Sequence, residues 1–491
     1  MQVYLAIDLG AGSGRLVAGK YDGSKLELEE VHRFSNDGVE LNGACHWNTL
    51  QLFSSIQEGI RKAVDLFGDA IVSIAADSWG CDHAMLDRNG NMLGGHRQYR
   101  DPRTEGMQAE LEKRMPLREV YAKTGVQAAF YNSSLHLLAE RMRGNPGLDI
   151  ADRLLFTPDL LAYWLSGEQA NERTITSTSQ LYNPSEEDWA WDVIDALELP
   201  RQMFGRIVPS GTVLGPVHPS VVERTGVHSG MQVVASAGHD TACAVAGLPM
   251  TQSGLWLSSG TWSIIGVESE CPVTSAEAFE AGLSNEGGVE GTTRLLHNVA
   301  GMWMAQESIR HWKEQGEDTR FEVLDRLADE AEAFSAFIDP NAPEFASPGD
   351  MPERIREYCR KTGQEVPEDK GTILRVINES LALKYRQVAE SLQQVTGKQF
   401  DCLNAGGGGT KNLMLMQSAA DALGVPVVAG PVEATSCGNI MMQMVATGAL
   451  PNVAAGRQLV ADSMDTKTFT PQPSDEWAHA YLRFCQLTSK T

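Results

Sequence analysis

The chain has 491 residues, 42% of them hydrophobic and 21% charged, enough for two or three domains with large cores. Its net charge of −24 argues against nucleic acid or an anionic membrane as partner; any phosphate site must draw on backbone amides, a metal and a few arginines against that field. The eight cysteines show no Cys-x-x-Cys or zinc spacing, no apolar run reaches membrane-span length, and Met1 leads directly into a strand-forming segment. A cytoplasmic protein with reduced thiols and no signal peptide is the expectation.

Val3 to Ile7 is apolar and β-prone, and Asp8 closes that strand. Leu9-Gly10-Ala11-Gly12-Ser13-Gly14-Arg15 follows, then a second strand from Arg15 to Tyr21, a turn at Asp22-Gly23-Ser24 and a third alternating run to Phe34. Glycines this dense let backbone N–H groups surround an anion, and a carboxylate just before them is placed to hold a Mg²⁺ ion on phosphates. A dinucleotide fingerprint fits badly, because the spacing is Gly-x-Gly-x-Gly and a strand follows rather than a helix. A tight turn without a ligand is the other reading of the same residues.

Further elements follow in chain order: a helix over 49–67, a strand over 71–76 ending in Asp77-Ser78-Trp79-Gly80, and a hairpin about Arg88-Asn89-Gly90. Residues 101–165 read as helices and 171–182 as a loop or ribbon. A strand over 232–235 runs into Ala237-Gly238-His239-Asp240-Thr241, with a small-residue helix from Ala242. The junction between two lobes is expected at 247–253. Beyond it Leu255-Trp256-Leu257 leads into a second glycine hairpin, Ser258-Ser259-Gly260-Thr261-Trp262-Ser263. A helix over 299–314, an irregular charged stretch over 316–368 and a helix over 372–395 come next. A strand over 402–405 precedes Gly406 to Gly409, followed by a helix from Asn412 and a short strand over 427–429. Two phosphate hairpins half a chain apart suggest a duplicated ATPase core.

Asp240 is the candidate catalyst. A sugar hydroxyl must shed its proton as it attacks a γ-phosphorus, and a carboxylate in hydrogen-bond reach accepts it; helix N-cap is the structural alternative. Asp77, Trp79, Gly80 and Asp82 form a polar-aromatic cluster suited to a sugar, or a structural turn around a half-buried Trp. Asn298, Trp303 and Gln306 lie at a helix start as caps or ligands. Arg100-Asp101-Pro102-Arg103 reads as a surface ion pair. The glycine run lacks the Gly-Lys-Ser/Thr ending of a Walker loop, and either carries a flat ligand or is a flexible turn.

Taken together these motifs resemble the FGGY carbohydrate kinases over nearly the whole chain. The resemblance rests on Asp77-Ser-Trp-Gly-x-Asp82, Tyr99-Arg-Asp-x-Arg103, His239-Asp-Thr241, Leu257-Ser-Ser-Gly-Thr-Trp-Ser263, Asn285-Glu-Gly-Gly288, the glycines at 406–409, and Gly430-Pro-Val-Glu-Ala-Thr435 with Gly438-Asn439. It implies an α/β, two-lobed actin/hexokinase-like ATPase fold: duplicated ribonuclease H-like domains, residues 1–247 and 248–491, with an inter-lobe cleft. It implies ATP and a small ketose as substrates, L-rhamnulose first and L-fuculose as the alternative, with Mg²⁺ as cofactor. Outside the kinases, a non-kinase ATPase of the actin or chaperone type, or a sugar-sensing pseudoenzyme, would keep both hairpins. Carried over residue by residue, Asp240 resembles the proton acceptor and Asp8 the carboxylate that orients hydrated Mg²⁺. Ala11, Gly12, Ser13, Gly14, Arg15, Thr261, Gln306 and Gly408 resemble ATP contacts; Gly80, His239, Asp240, Thr241 and Asn298 resemble ketose contacts. Two residues depart from the pattern: Gly12, where a serine is common, and His83, where an aromatic or apolar residue is expected.

Overall fold

A continuous apolar run in Gln2–Leu9 and an alternating one in Leu26–Ser35, with Ser13–Tyr21 between them, form the expected antiparallel meander. The computed structural model describes residues 1–250, 254–472 and 474–489. Thr49–Phe67 is helical over the predicted span. Its Leu52, Ile56, Ile60 and Ala63 recur at helical spacing, and the last three join Val3, Leu5 and Ile7 in one core. The strand Ile71–Ser78 pairs parallel with Gln2–Leu9 and runs two residues further than the apolar run, so Asp77 lies inside it. Gln232–Ala235 adds in parallel and Thr212–Pro216 closes the edge antiparallel, completing a six-stranded sheet.

The second sheet repeats this plan. Leu255–Ser259 pairs antiparallel with Ser263–Ser269 and parallel with Leu403–Gly406; Val427–Ala429 continues in parallel and Lys467–Phe469 closes antiparallel. Hairpin, two parallel strands and an antiparallel edge thus occur in the same order in both sheets, as the paired hairpin motifs predict.

The chain divides into two compact units. One comprises Met1–Thr251, Glu268–Leu295 and Ala434–Met464; the other Gln252–Val267, Leu296–Glu433 and Asp465–Thr491. Neither unit is a continuous block of sequence. The helix Ala434–Ala446 returns to the first unit because it packs on the helix Asp240–Ala246 at glycines. A Cβ on Gly438 would stand 1.8 Å from the Cys243 carbonyl oxygen, and one on Gly247 would stand 2.2 Å from that of Ala434. Part of the junction expected at 247–253, residues 251–253, lies outside the described residues.

Several local expectations differ. The stretch 171–182 is not an open loop: Arg173–Ser177 is a buried helical turn, capped by Glu172, whose carboxylate accepts from the Thr174 and Ile175 amides. Within 101–165, Arg153–Phe156 is a strand paired antiparallel with His83–Leu86. Val299 ends the strand Thr293–Val299, and the following helix begins only at Trp303. The charged stretch 316–368 contains the helices Phe321–Glu330 and Met351–Lys361; their apolar faces are narrow, so charge dominates the sequence. Among the described residues no helix is long and apolar enough to cross a membrane, and none of the eight cysteines is joined in a disulfide.

Candidate active site

In the first unit the sheet register gathers the carboxylates. Asp8 is the partner of Arg15 across the hairpin and of Asp77 across the parallel pair. Arg15 Nη2 donates to Asp8 Oδ2 at 2.5 Å, and Ser436 Oγ donates to the same oxygen at 3.0 Å. Asp77 is fully buried. Its Oδ2 accepts from Asn439 Nδ2 at 2.6 Å, while Oδ1 meets no hydrogen-bond partner among the described residues. Burial and the neighbouring Asp8 charge push the Asp77 carboxyl well up from its ordinary range. Ser436, Asn439 and Gln443 form a buried polar stripe on the helix Ala434–Ala446, and Gln443 Nε2 bonds the Leu5 carbonyl at 3.0 Å.

The turn that follows the strand Gln232–Ala235 is tied to the end of Ile71–Ser78: the Ser78 amide donates to the Gly238 carbonyl at 2.9 Å. This places Asp240 alongside the Ser78–Gly80 corner. Asp240 is the first helical residue, not the cap; His239 stands at the cap position. The Asp240 side chain is about a third open to solvent, at 34%, as a proton acceptor for a ligand must be. Burial of the remainder and the Asp8 charge raise its pKa, against the opposing effect of His239. Thr241 Oγ1 donates to Asp240 Oδ1 at 3.1 Å. His239 lies between Asp240 and a buried ion pair, Glu286–Arg294, that sequence reasoning left without a role. The available signal was the buried strand Ser284–Gly287, which carries Asn and Glu where a core strand carries apolar residues.

The glycine hairpin of this unit is braced by Asn36. Its Nδ2 donates to the Gly10 carbonyl at 2.9 Å and its amide to that of Gly12 at 3.4 Å. Gly14 is glycine for packing, since a Cβ would meet the Phe34 ring at 2.3 Å. A Cβ on Gly12 would meet nothing within 4 Å, so the serine common there would fit. A side chain at Gly80 would press on Thr178, at 3.2 Å.

Trp79 is buried, its ring 4.2 Å from Trp47, and both indole N–H groups donate to Asp82 Oδ2, at 2.8 and 2.6 Å. These residues form the structural turn rather than an open sugar face, and burial raises the Asp82 carboxyl to about 7. The adjoining His83 is buried; its pKa is pushed down to about 4, so it packs as a neutral ring. Asp101 and Arg103 make a buried pair rather than a surface one, because Asp101 also accepts the Cys45 amide at 2.8 Å.

In the second unit Thr261 sits at the tip of the other hairpin, and its Oγ1 donates to Gln306 Oε1 at 3.1 Å. The turn is locked by the next helix: the amides of Met302 and Trp303 donate to the carbonyls of Gly260 and Thr261 at 3.0 and 3.1 Å. Asn298 is the penultimate residue of the strand Thr293–Val299, where its carbonyl accepts from Asn341 Nδ2 at 3.0 Å. Trp303 Nε1 donates to the Phe345 carbonyl at 3.0 Å. In the glycine run, Gly407 and Gly409 have no room for a Cβ, which would strike Ser259 at 2.6 and 2.1 Å. Gly408 faces open space.

No three histidine, cysteine or acidic side chains among the described residues are placed to hold a metal by themselves. The Asp8–Asp77 pair, with one free buried oxygen, nonetheless suits a Mg²⁺ ion that keeps its waters and needs only one or two protein carboxylates.

Residues 3–247 match the N-terminal domain of the FGGY family of carbohydrate kinases and 255–447 its C-terminal domain. The chain is 42% identical to a rhamnulokinase of Bacteroides thetaiotaomicron over 98% of its own length and 99% of the relative's. It is 36% identical to one of Oceanobacillus iheyensis over 95% and 98%. In structure it resembles ligand-bound xylulose kinase from Lactobacillus acidophilus, with a TM-score of 0.82 over 100% of this chain and 98% of the other at 16% identity. That likeness, with the repeated sheets, is the actin/hexokinase-like ATPase fold. The chain belongs to the FGGY family of carbohydrate kinases, phosphotransferases that act on a sugar with ATP as co-substrate.

Proposed function

We propose that this kinase phosphorylates the 1-hydroxyl of L-rhamnulose, giving L-rhamnulose 1-phosphate in L-rhamnose breakdown. The observation that carries the choice of sugar is the 42% identity, over 98% of the chain, to a protein named for that ketose. Asp240, beside His239 and Thr241, accepts the proton of the attacking hydroxyl. Gly80, His239, Thr241 and Asn298 hold the sugar. The 11–15 hairpin residues (Ala11, Gly12, Ser13, Gly14, Arg15) and, in the second unit, Thr261, Gln306 and Gly408 hold ATP. Asp8, joined by Asp77, is the carboxylate for hydrated Mg²⁺, which when bound offsets phosphate charge. Arg15 keeps Asp8 in register and sits at the phosphate hairpin. A cytoplasmic location fits the free thiols and the ATP requirement.

The test is ADP release coupled to a reporter, measured over a panel of ketoses and polyols that includes L-rhamnulose, L-fuculose and D-xylulose, with and without Mg²⁺. L-Rhamnulose should give the highest kcat/KM, only with the metal present. A higher value for another sugar overturns the assignment of substrate.

A further inference from the structure

The Asp240 turn is gripped from two sides by buried carboxylates. On the backbone side, Glu172 Oε2 accepts from the Gly238 amide at 2.8 Å and from Thr174 Oγ1 at 2.6 Å. Thr174 Oγ1 in turn accepts from the His239 amide at 3.2 Å. On the side-chain side the His239 ring spans two acids: Nδ1 lies 2.9 Å from Glu286 Oε2, and Nε2 lies 3.4 Å from Asp240 Oδ1. Arg294, fully buried, donates to the same Glu286 oxygen at 2.9 Å and through Nε to the Gly287 carbonyl at 2.9 Å. The neighbouring His239 ring and Arg294 guanidinium hold the Glu286 carboxyl down at about 2 despite its burial, so its oxygens only accept. Nδ1 lies nearer to that carboxylate oxygen, at 2.9 Å, than to the Arg294 Nη2 donor, at 3.2 Å, so a lone pair on Nδ1 would chiefly face the carboxylate. A proton there turns the repulsion into a charge-assisted hydrogen bond.

We propose that Glu286, clamped by Arg294, fixes His239 with its proton on Nδ1 and so turns Nε2 toward Asp240 and a hydroxyl of the sugar. Glu286 is thereby a positioning residue for phosphoryl transfer. The inference rests on Asp240 being the proton acceptor. With the proton on Nδ1, Nε2 is a second acceptor beside the base, 3.4 Å from Asp240 Oδ1. The two acceptors can hold two hydroxyls of one sugar, the attacking one on Asp240 and another on Nε2. The Glu286 carboxylate never touches the sugar in this arrangement; it acts only through the imidazole.

Two measurements on the full-length protein test this. Long-range ¹H–¹⁵N spectra report the histidine tautomers, with the His239 signals identified by their loss in His239→Gln. Wild type should show His239 protonated at Nδ1; a His239 protonated at Nε2 alone overturns the proposal even if no variant folds. Kinetically, Glu286→Gln should lower kcat by about tenfold, the usual cost of losing a group that orients a functional side chain, with the KM for ATP unchanged. In the His239→Gln background the same substitution should cost less than about twofold, because the interaction it removes is already gone. An equal loss in both backgrounds would show a general structural role and overturn the proposal. Asp240→Asn separates this from the underlying reading: an active Asp240→Asn enzyme removes Asp240 as base, while the spectra still decide the His239 tautomer.

Discussion

Asp240 shows why a motif needs coordinates before it becomes chemistry. By sequence it could equally serve as a cap, and capping would consume its carboxylate on backbone amides. In the fold it is the first helical residue, partly open, with His239 and Thr241 both at its Oδ1. Asp240→Asn should therefore keep the fold and substrate binding but lose about two to four orders of magnitude in kcat. The base works only when ionised. Because its pKa is raised, the acid limb of kcat should lie at higher pH than for an ordinary carboxylate and vanish in the variant. A kcat within about tenfold of wild type would return Asp240 to a structural role. Asp82 makes the opposite case, a buried acid used for packing. Its folded pKa of about 7 exceeds the unfolded value near 3.8, so the folded state binds its proton more tightly. That contribution is fully present below about pH 3.8 and is lost as pH rises through about 7. The melting temperature of Asp82→Asn relative to wild type should accordingly climb between pH 4 and 8. A difference flat with pH would mean that the two indole donors keep Asp82 ionised throughout.

At the scale of elements, glycines decide which segments can meet. Helix Ala434–Ala446 approaches helix Asp240–Ala246 at Gly438 and Gly247, and it brings Ser436 and Asn439 to Asp8 and Asp77. Gly438→Ala should destabilise by about 1–3 kcal/mol, the usual cost of overpacking. It should also lower kcat, because displacing the helix takes both donors from the carboxylates. Chemical denaturation together with steady-state kinetics checks this, and unchanged stability would mean that the contact gives way freely. Gly408 differs from its neighbours because a side chain there projects into open space. Gly408→Val should fold normally and raise the KM for ATP well above any change in that for the ketose. Equal effects on both would exclude a nucleotide role for the run. The strand 2–9 and the long helix 370–396 were legible from sequence because a continuous apolar run marks a strand buried on both faces and recurring apolar residues over 27 positions mark a core helix. The buried turn Arg173–Ser177 was not legible. Its polar residues are satisfied by Glu172, a partner whose role no spacing reveals, and they read as a solvent loop.

For the molecule as a whole, ATP turnover should depend on the sugar. The ketose should speed ADP release by at least about a hundredfold over ATP alone, since binding energy from the correct substrate assembles the reacting groups. Sugar-independent hydrolysis of equal rate would argue against a site organised around the hydroxyl. The duplicated plan was written in the sequence, because an apolar strand running into a tight turn rich in glycine or serine, followed by a second strand, occurs twice, at 3–21 and at 255–269. Asp8 and Asp240 stood out for the same reason, each in a motif that follows an apolar strand and is read along the chain. What only the tertiary structure decided is which distant residues gather around the candidate site. Asp77 reaches Asp8 through parallel register, Asn439 and Ser436 arrive from a helix more than 350 residues away in sequence, and Glu286 and Arg294 arrive behind His239. Those partnerships follow from sheet register and from close packing at glycines, which depend on contacts between segments far apart in the chain.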